Sequence, residues 1–205
     1  MNLSQRPFTD LLKAFRSPDP TPGGGSASAL AGAVGASLAA MVAALPKSRT
    51  ETDEDQRRLR AAGERCASLG ERLAALMDAD TSAYDEVVAA FKLPRTTDAE
   101  KSTRSIRVQE ALRGATEVPL DVIRVCVDAL EQGVVVAEFG NRNARSDVQI
   151  GLELLGVAVR GAGLNVEINL ESLMDAPYVA AVRDEAEKLA LAAARAQERG
   201  GYFTV

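Results

Sequence analysis

From Gly23 to Leu45 the chain carries no charged side chain, and most of its residues there are Ala, Gly or Ser. A segment with so little bulk and charge is suited to burial, where neighbouring helices can approach its backbone closely. It is long enough to cross a bilayer. Gly, Ala and Ser dilute its hydrophobicity, however, and the rest of the chain reads as soluble, so the expectation is a buried helix of a soluble bundle. The approach to it, Pro20-Thr21-Pro22-Gly23-Gly24-Gly25-Ser26, is stiffened by prolines and then freed by glycines to take backbone conformations closed to other residues. Ser26 is the expected N-cap of the helix. Backbone N–H groups at such a turn can face a ligand.

Helical periodicity dominates elsewhere, and the fold is read as all-α, a multihelical bundle forming a single domain over residues 1–205. A short helix is expected over Thr9 to Arg16, the small-residue helix over Ser26 to Leu45, and a polar connector over Lys47 to Asp55. A long helix follows over Asp55 to Phe91. Its seam is Leu59, Ala62, Cys66, Leu69, Leu73 and Leu76, resuming at Ala83, Val87 and Ala90, and Asp80 occupies the intervening position. A carboxylate on an apolar stripe is costly unless it is hydrogen-bonded or paired. Thr97 and Glu100 form a capping box that opens the next helix. Pro119 is expected to bend or interrupt it after Thr116, helix resumes to about Gln132, and Gly140 breaks it. Ser146 and Gln149 read as a second capping box for a helix from Asp147 to about Arg160, ended by Gly161-Ala162-Gly163. Asp175 caps a last helix running to about Arg199.

Composition narrows the chemistry. The net charge is −5 and aromatics make up 4% of the residues, which argues against nucleic-acid binding. The chain has no histidine, so the commonest general acid–base and metal ligand are missing. Its two cysteines, Cys66 and Cys126, fit no metal spacing and are expected to be free thiols in a reducing, cytoplasmic setting. No signal peptide is legible in Met1 to Arg16. Catalysis would therefore fall to carboxylates, Lys, Tyr, Cys or backbone dipoles, with no metal. Candidate groups are Asp80, the run Asn141 to Asp147, the pair Asn165 and Asn169, and the basic residues Lys92, Arg95, Lys101 and Arg104 that follow the long helix.

Taken in order, these segments resemble the methenyltetrahydrofolate cyclohydrolases and the cyclodeaminase domain of formiminotransferase-cyclodeaminase. The likeness rests on Pro20 to Ser26, Asp80 with Ala83-Tyr84, Leu93-Pro94-Arg95, Ala115 to Leu120, Gly140-Asn141 with Ser146-Asp147, and Asn165-Val166 with Ile168-Asn169. It implies long antiparallel helices, a homodimer, and an enzyme acting on a one-carbon unit carried by tetrahydrofolate, with no cofactor beyond that substrate. The leading expectation is hydrolysis of methenyl- to formyl-tetrahydrofolate. The alternatives are ammonia-releasing closure of formimino-tetrahydrofolate and a non-catalytic folate-binding homologue. On this resemblance Asp147 is the preferred proton-transfer group and Asp80 the second. Gly23, Gly24, Gly25, Ser26, Asn141, Ser146, Asn165 and Asn169 would hold the heterocycle, and Lys92, Arg95 and Arg104 would meet the glutamate tail. Residues Pro46 to Asp55 depart from the family pattern, where a Lys-rich turn is common.

Overall fold

A computed structural model describes residues 2–204. Among the described residues, six α-helices follow a short 3-10 turn at Leu3–Gln5: α1 (Phe8–Phe15), α2 (Gly24–Ala43), α3 (Asp53–Phe91), α4 (Asp98–Phe139), α5 (Arg145–Leu170) and α6 (Ala176–Thr204). No strand occurs among the described residues, and the all-α expectation holds.

The uncharged segment lies where three helices meet. Among the described residues, α2 is the one helix long and apolar enough to cross a bilayer, and half of it is buried inside the bundle. It contacts α3 on one side, α5 on the other and α4 beneath. Its glycines set these distances. A methyl group on Gly35 would come within 2.6 Å of the Gly151 carbonyl of α5, and one on Gly32 within 2.8 Å of Cys126 Sγ of α4. On α3, Gly63 faces Ala43 and Gly70 faces Ser37 of α2. Opposed pairs such as Gly24 with Asn165 and Gly35 with Gly151 run α5 antiparallel to α2. Arg65–Asp128 and Arg72–Asp121 likewise set α3 against α4. The last helix, α6, runs parallel to α4, tied to it by Arg124–Glu185 and Arg199–Glu131.

The long seam of α3 buries Leu59, Ala62, Cys66, Leu69 and Leu73 as expected. Next along the stripe, Met77 is buried and Leu76 only half so, because a 3.6-residue helix drifts off a seven-residue repeat. Thr52 and Asp55 form a capping box at the start of α3, and the expected Thr97–Glu100 box opens α4.

Three expectations are corrected. The α4 helix does not break at Pro119 but runs unbroken to Phe139, with Gly140 as its C-cap. Proline has no N–H to offer the carbonyl four residues back, Ala115. Asn169 of α5 supplies the missing donor, its Nδ2 lying 2.8 Å from Ala115 O. Nor does α5 stop at Gly161-Ala162-Gly163; it continues to Leu170. No described glycine has a positive φ. Gly161 is small so that Ser28 of α2 can approach, since a methyl group there would overlap the Ser28 hydroxyl. Lastly, Ser146 and Gln149 form no capping box. The 3-10 turn Arg142–Ala144 leads directly into α5, whose N-cap is Ala144. Asp175 caps α6 as expected, accepting from the Tyr178 N–H at 3.0 Å, although the helix ends at Thr204 instead of Arg199.

The Asn169 bridge has a direct test. Replacing Asn169 with Ala should cost about 1 kcal/mol in chemical denaturation, because the Ala115 carbonyl loses its partner. In a Pro119→Ala background, where the backbone can donate, most of that cost should vanish. Equal costs in both backgrounds would refute the bridge.

Candidate functional site

The turn Pro20 to Gly23 delivers the chain into the first turn of α2, and the helix begins at Gly24 with Gly23 as N-cap. Ser26 is therefore not the N-cap expected from the sequence. It sits fully buried inside the first turn, where its single hydroxyl proton has two acceptors within reach, Asp80 Oδ2 at 2.8 Å and the Met77 carbonyl at 3.2 Å. The capping carboxylate comes from α3 instead: Asp80 lies against the N-terminal turn of α2, where the helix macrodipole favours negative charge. Gly25 makes this possible, because a methyl group there would overlap the Asp80 carboxylate. The glycines of this turn thus serve close approach, not an unusual backbone conformation.

Burial pushes the Asp80 carboxyl above the usual carboxylate range, and hydrogen bonds from the Ser26 side chain and backbone pull part of the way back. The result is a partly buried acid held by hydrogen bonds yet raised toward neutrality, the profile expected of a proton-transfer group. Asn165 lies across α2 from Asp80, its amide about 3.6 Å from where a methyl group on Gly24 would sit, and it donates to Gly161 O at 2.9 Å. Both Asn165 and Asn169 lie on α5 and not in a turn.

A cavity of about 430 Å³ opens beside the turn, lined by Thr21 and Pro22 and by Arg6, Lys13, Asp19 and Thr81. The Thr81 hydroxyl oxygen is buried there with no hydrogen-bond partner. Arg6, Lys13 and Thr81 carried no sequence signal, since only the folding of the N-terminal segment onto α3 brings them here. Beyond Asp80, α3 continues eleven residues, about 16 Å, to the α3–α4 tip that carries Lys92, Arg95, Lys101 and Arg104. Arg104 is engaged at the end of α3: Nε and Nη2 donate to the Phe91 carbonyl at 3.2 and 3.1 Å, and the guanidinium lies over the Phe91 ring. Lys101 pairs with Asp98 at 2.9 Å, whereas Lys92 and Arg95 are exposed.

The structure separates the second cluster from the first. Asn141 donates to Pro46 O at 2.6 Å and accepts from the Asn143 N–H, so it sits at the C-terminal end of α2. Asp147 lies one turn before Gly151, which packs on Gly35 and Leu38. Asp147 is therefore level with Val42, roughly 24 Å along α2 from Ser26. Within one chain Asn141, Ser146 and Asp147 are remote from Asp80, and the preference for the proton-transfer role passes to Asp80. Among the described residues no cluster of Cys, Asp or Glu could hold a metal ion.

A sequence profile of the family described as formiminotransferase-cyclodeaminase matches residues 7–188. The chain is 37% identical over 188 residues to a methenyltetrahydrofolate cyclohydrolase of Methylorubrum extorquens, an alignment covering 92% of this chain and 90% of that one. It is 32% identical to the formimidoyltransferase-cyclodeaminase of Sus scrofa, of which it spans only 35%. The fold superposes on a crystal structure of formiminotetrahydrofolate cyclodeaminase from Thermotoga maritima with a TM-score of 0.87 at 25% identity, covering 98% of this chain and 96% of that one.

The raised Asp80 carboxyl makes stability fall with pH. A carboxyl whose folded pKa exceeds its unfolded one stabilises the fold fully below the unfolded value and loses that contribution as pH rises through the folded value. Asp80→Asn, which keeps an acceptor for Ser26, should flatten this decline and leave the protein at least as stable as the parent at neutral pH. Thermal unfolding across the acid-to-neutral range measures it, and an unchanged pH slope would contradict the raised value.

Proposed function

The chain belongs to the formiminotransferase-cyclodeaminase family, and within it we propose that the protein hydrolyses methenyl-tetrahydrofolate to formyl-tetrahydrofolate. The observation that carries the choice is the 37% identity to a stand-alone cyclohydrolase across nearly the whole length of both chains. The protein is a folate one-carbon enzyme, and Asp80 is its proton-transfer group.

The methenyl carbon is an amidinium-like electrophile. Its positive charge beside Asp80 favours the ionised carboxylate. Asp80 then takes a proton from water as the water oxygen bonds to the methenyl carbon. The tetrahedral carbon collapses as one carbon–nitrogen bond breaks, and the proton held by Asp80 passes to the departing nitrogen. The product is the formyl amide, and the remaining hydroxyl proton is released to solvent. Gly24, Gly25 and Asn165 border the space in which the heterocycle would lie, and exposed Lys92 and Arg95 at the arm tip suit an anionic tail. No cofactor enters this scheme beyond the folate that carries the substrate carbon.

Ring closure of formimino-tetrahydrofolate with loss of ammonia is the second reading, favoured by the likeness to the Thermotoga maritima cyclodeaminase. It needs the same tetrahedral carbon and proton shuttle. A homodimer belongs to the proposal as well. Its support is an apolar outer face on α2 and α5, where Val34, Met41, Ile150, Val157 and Leu164 are exposed.

An absorbance assay tests the function. Loss of the methenyl chromophore above the uncatalysed rate is expected from the native protein, and a gain from formimino-tetrahydrofolate with ammonia release would select the second reading. Asp80→Asn should lower turnover by about 10²–10⁴-fold while the protein remains folded. Full activity in that variant would exclude Asp80 from the chemistry.

A further inference from the structure

The cavity of about 430 Å³ beside the glycine turn takes no part in the proton transfer, yet Thr81, the residue after Asp80, forms part of its wall. The N-terminal segment and α1 form another part, and Asp78 holds that segment in place by accepting from the Leu3 N–H and the Ser4 hydroxyl. The charges of the lining balance, Arg6 and Lys13 against Asp10 and Asp19, with Lys13 paired to Asp10 at 2.8 Å. Such a lining suits a neutral ring carrying both donors and acceptors, and not an anionic tail. Two of its groups lack partners. Thr81 Oγ1 is the one buried side-chain oxygen or nitrogen without a hydrogen bond among the described residues. Helical Ser and Thr often donate to the carbonyl four residues back, as Ser28, Ser37, Ser82 and Thr116 do. For Thr81 that carbonyl belongs to Met77, and Ser26 Oγ lies 3.2 Å from it. A helical Thr has two χ1 rotamers open to it, so one rotation exchanges methyl and hydroxyl at the cavity wall. An unpaired buried hydroxyl is costly until a ligand meets it. The second group is Asp19, whose Oδ2 accepts from the Ser17 hydroxyl at 2.5 Å while Oδ1 has no partner among the described residues.

We propose that this cavity takes the pyrimidinone end of the reduced pterin, with Asp19 and Thr81 as the residues that recognise it. The proposal rests on the folate-enzyme reading. The pterin edge presents its ring N3–H and its 2-amino group side by side, a guanidine-like pair that a carboxylate accepts with both oxygens. Beside them stands the C4 carbonyl, an acceptor for the Thr81 hydroxyl. The C4 carbonyl and N5 flank the same ring-fusion carbon. A group bonded to that carbonyl and a group facing the one-carbon unit on N5 must therefore be near neighbours. Thr81 and Asp80 are consecutive residues of α3, the first at the cavity and the second at the glycine turn, and they meet this requirement. With the pyrimidinone end in the cavity, the methenyl ring lies at Gly24 and Gly25. The tail leaves from the opposite end of the ring system, away from the cavity. Asp19 then sets selectivity at the 2-position, because a 2-oxo ring would turn an acceptor toward its carboxylate.

Titration calorimetry on the full chain tests this with tetrahydrofolate and two tail-less rings, methyl-tetrahydropterin and methyl-tetrahydrolumazine. The lumazine carries a 2-oxo group in place of the 2-amino group. The native protein should bind the pterin ring and disfavour the lumazine by roughly 10–100-fold. Asp19→Asn, whose amide can donate to the 2-oxo group, should lose most of that preference. Thr81→Val should weaken both rings alike by roughly tenfold, since both keep the C4 carbonyl, and Thr81→Ser, which keeps the hydroxyl, should bind as the native protein does. Asp19 is exposed, so its variant decides the question even where a change at Thr81 disturbs folding. Equal affinity of the native protein for the two rings, an unchanged preference in Asp19→Asn, or native affinity in a folded Thr81→Val would each overturn the proposal. So would a native protein that binds tetrahydrofolate but neither tail-less ring. A native protein that neither binds tetrahydrofolate nor turns over methenyl-tetrahydrofolate would instead remove the folate reading, and the proposal with it.

Discussion

The fold depends on one close approach. α2 has small side chains on every side that meets another helix, so α3, α4 and α5 come near enough for Gly32 to face Cys126 and Gly35 to face Gly151. At its N-terminal turn the same closeness lets a carboxylate from α3 lie directly against the helix backbone. Gly25 clears the space, Ser26 supplies the hydrogen bonds, and the positive end of α2 supports the charge. A larger residue at Gly25 would push Asp80 away from the turn. The packing constraint and the chemical group are therefore one feature seen at two scales.

Much of this was legible in the sequence, for physical reasons. A charge-free stretch of Ala, Gly and Ser has few stable places other than the middle of a bundle. The period of Leu59 to Leu73 marks a buried seam, and Asp80 stood out because it broke that seam. The misreadings share a cause. Pro119 and Gly161-Ala162-Gly163 are local breakers by propensity, but tertiary partners override them: Asn169 supplies the donor that Pro119 lacks, and Gly161 is small to admit Ser28. Ser26 looked like an N-cap because the sequence alone cannot show that Asp80, fifty-four residues later, already fills that role.

Spacing along the chain also concealed the distance between the two polar clusters. Asn141 to Asp147 and Asn165 to Asn169 lie close together in sequence, yet α5 separates them by most of its length. Asp147, with its polar neighbours, is remote in its own chain from the glycine turn it was expected to serve. The stretch Pro46 to Asp55, where the sequence departs from its family, lies at this same end and is held there by Asn141 and by Arg49, which donates to the Gly140 carbonyl at 3.1 Å.

The claim that Asp80 moves the proton under the control of Ser26 is tested most directly by the pH dependence of kcat/KM for methenyl-tetrahydrofolate in the native protein and in Ser26→Ala. The general base must be ionised, so activity falls on the acid side of the Asp80 pKa, and kcat/KM reports that value for the free enzyme. Ser26 hydrogen bonds hold the carboxyl down against burial, so removing the hydroxyl should move the acid limb to higher pH. An acid limb at the same pH in both proteins would contradict the assignment of Asp80.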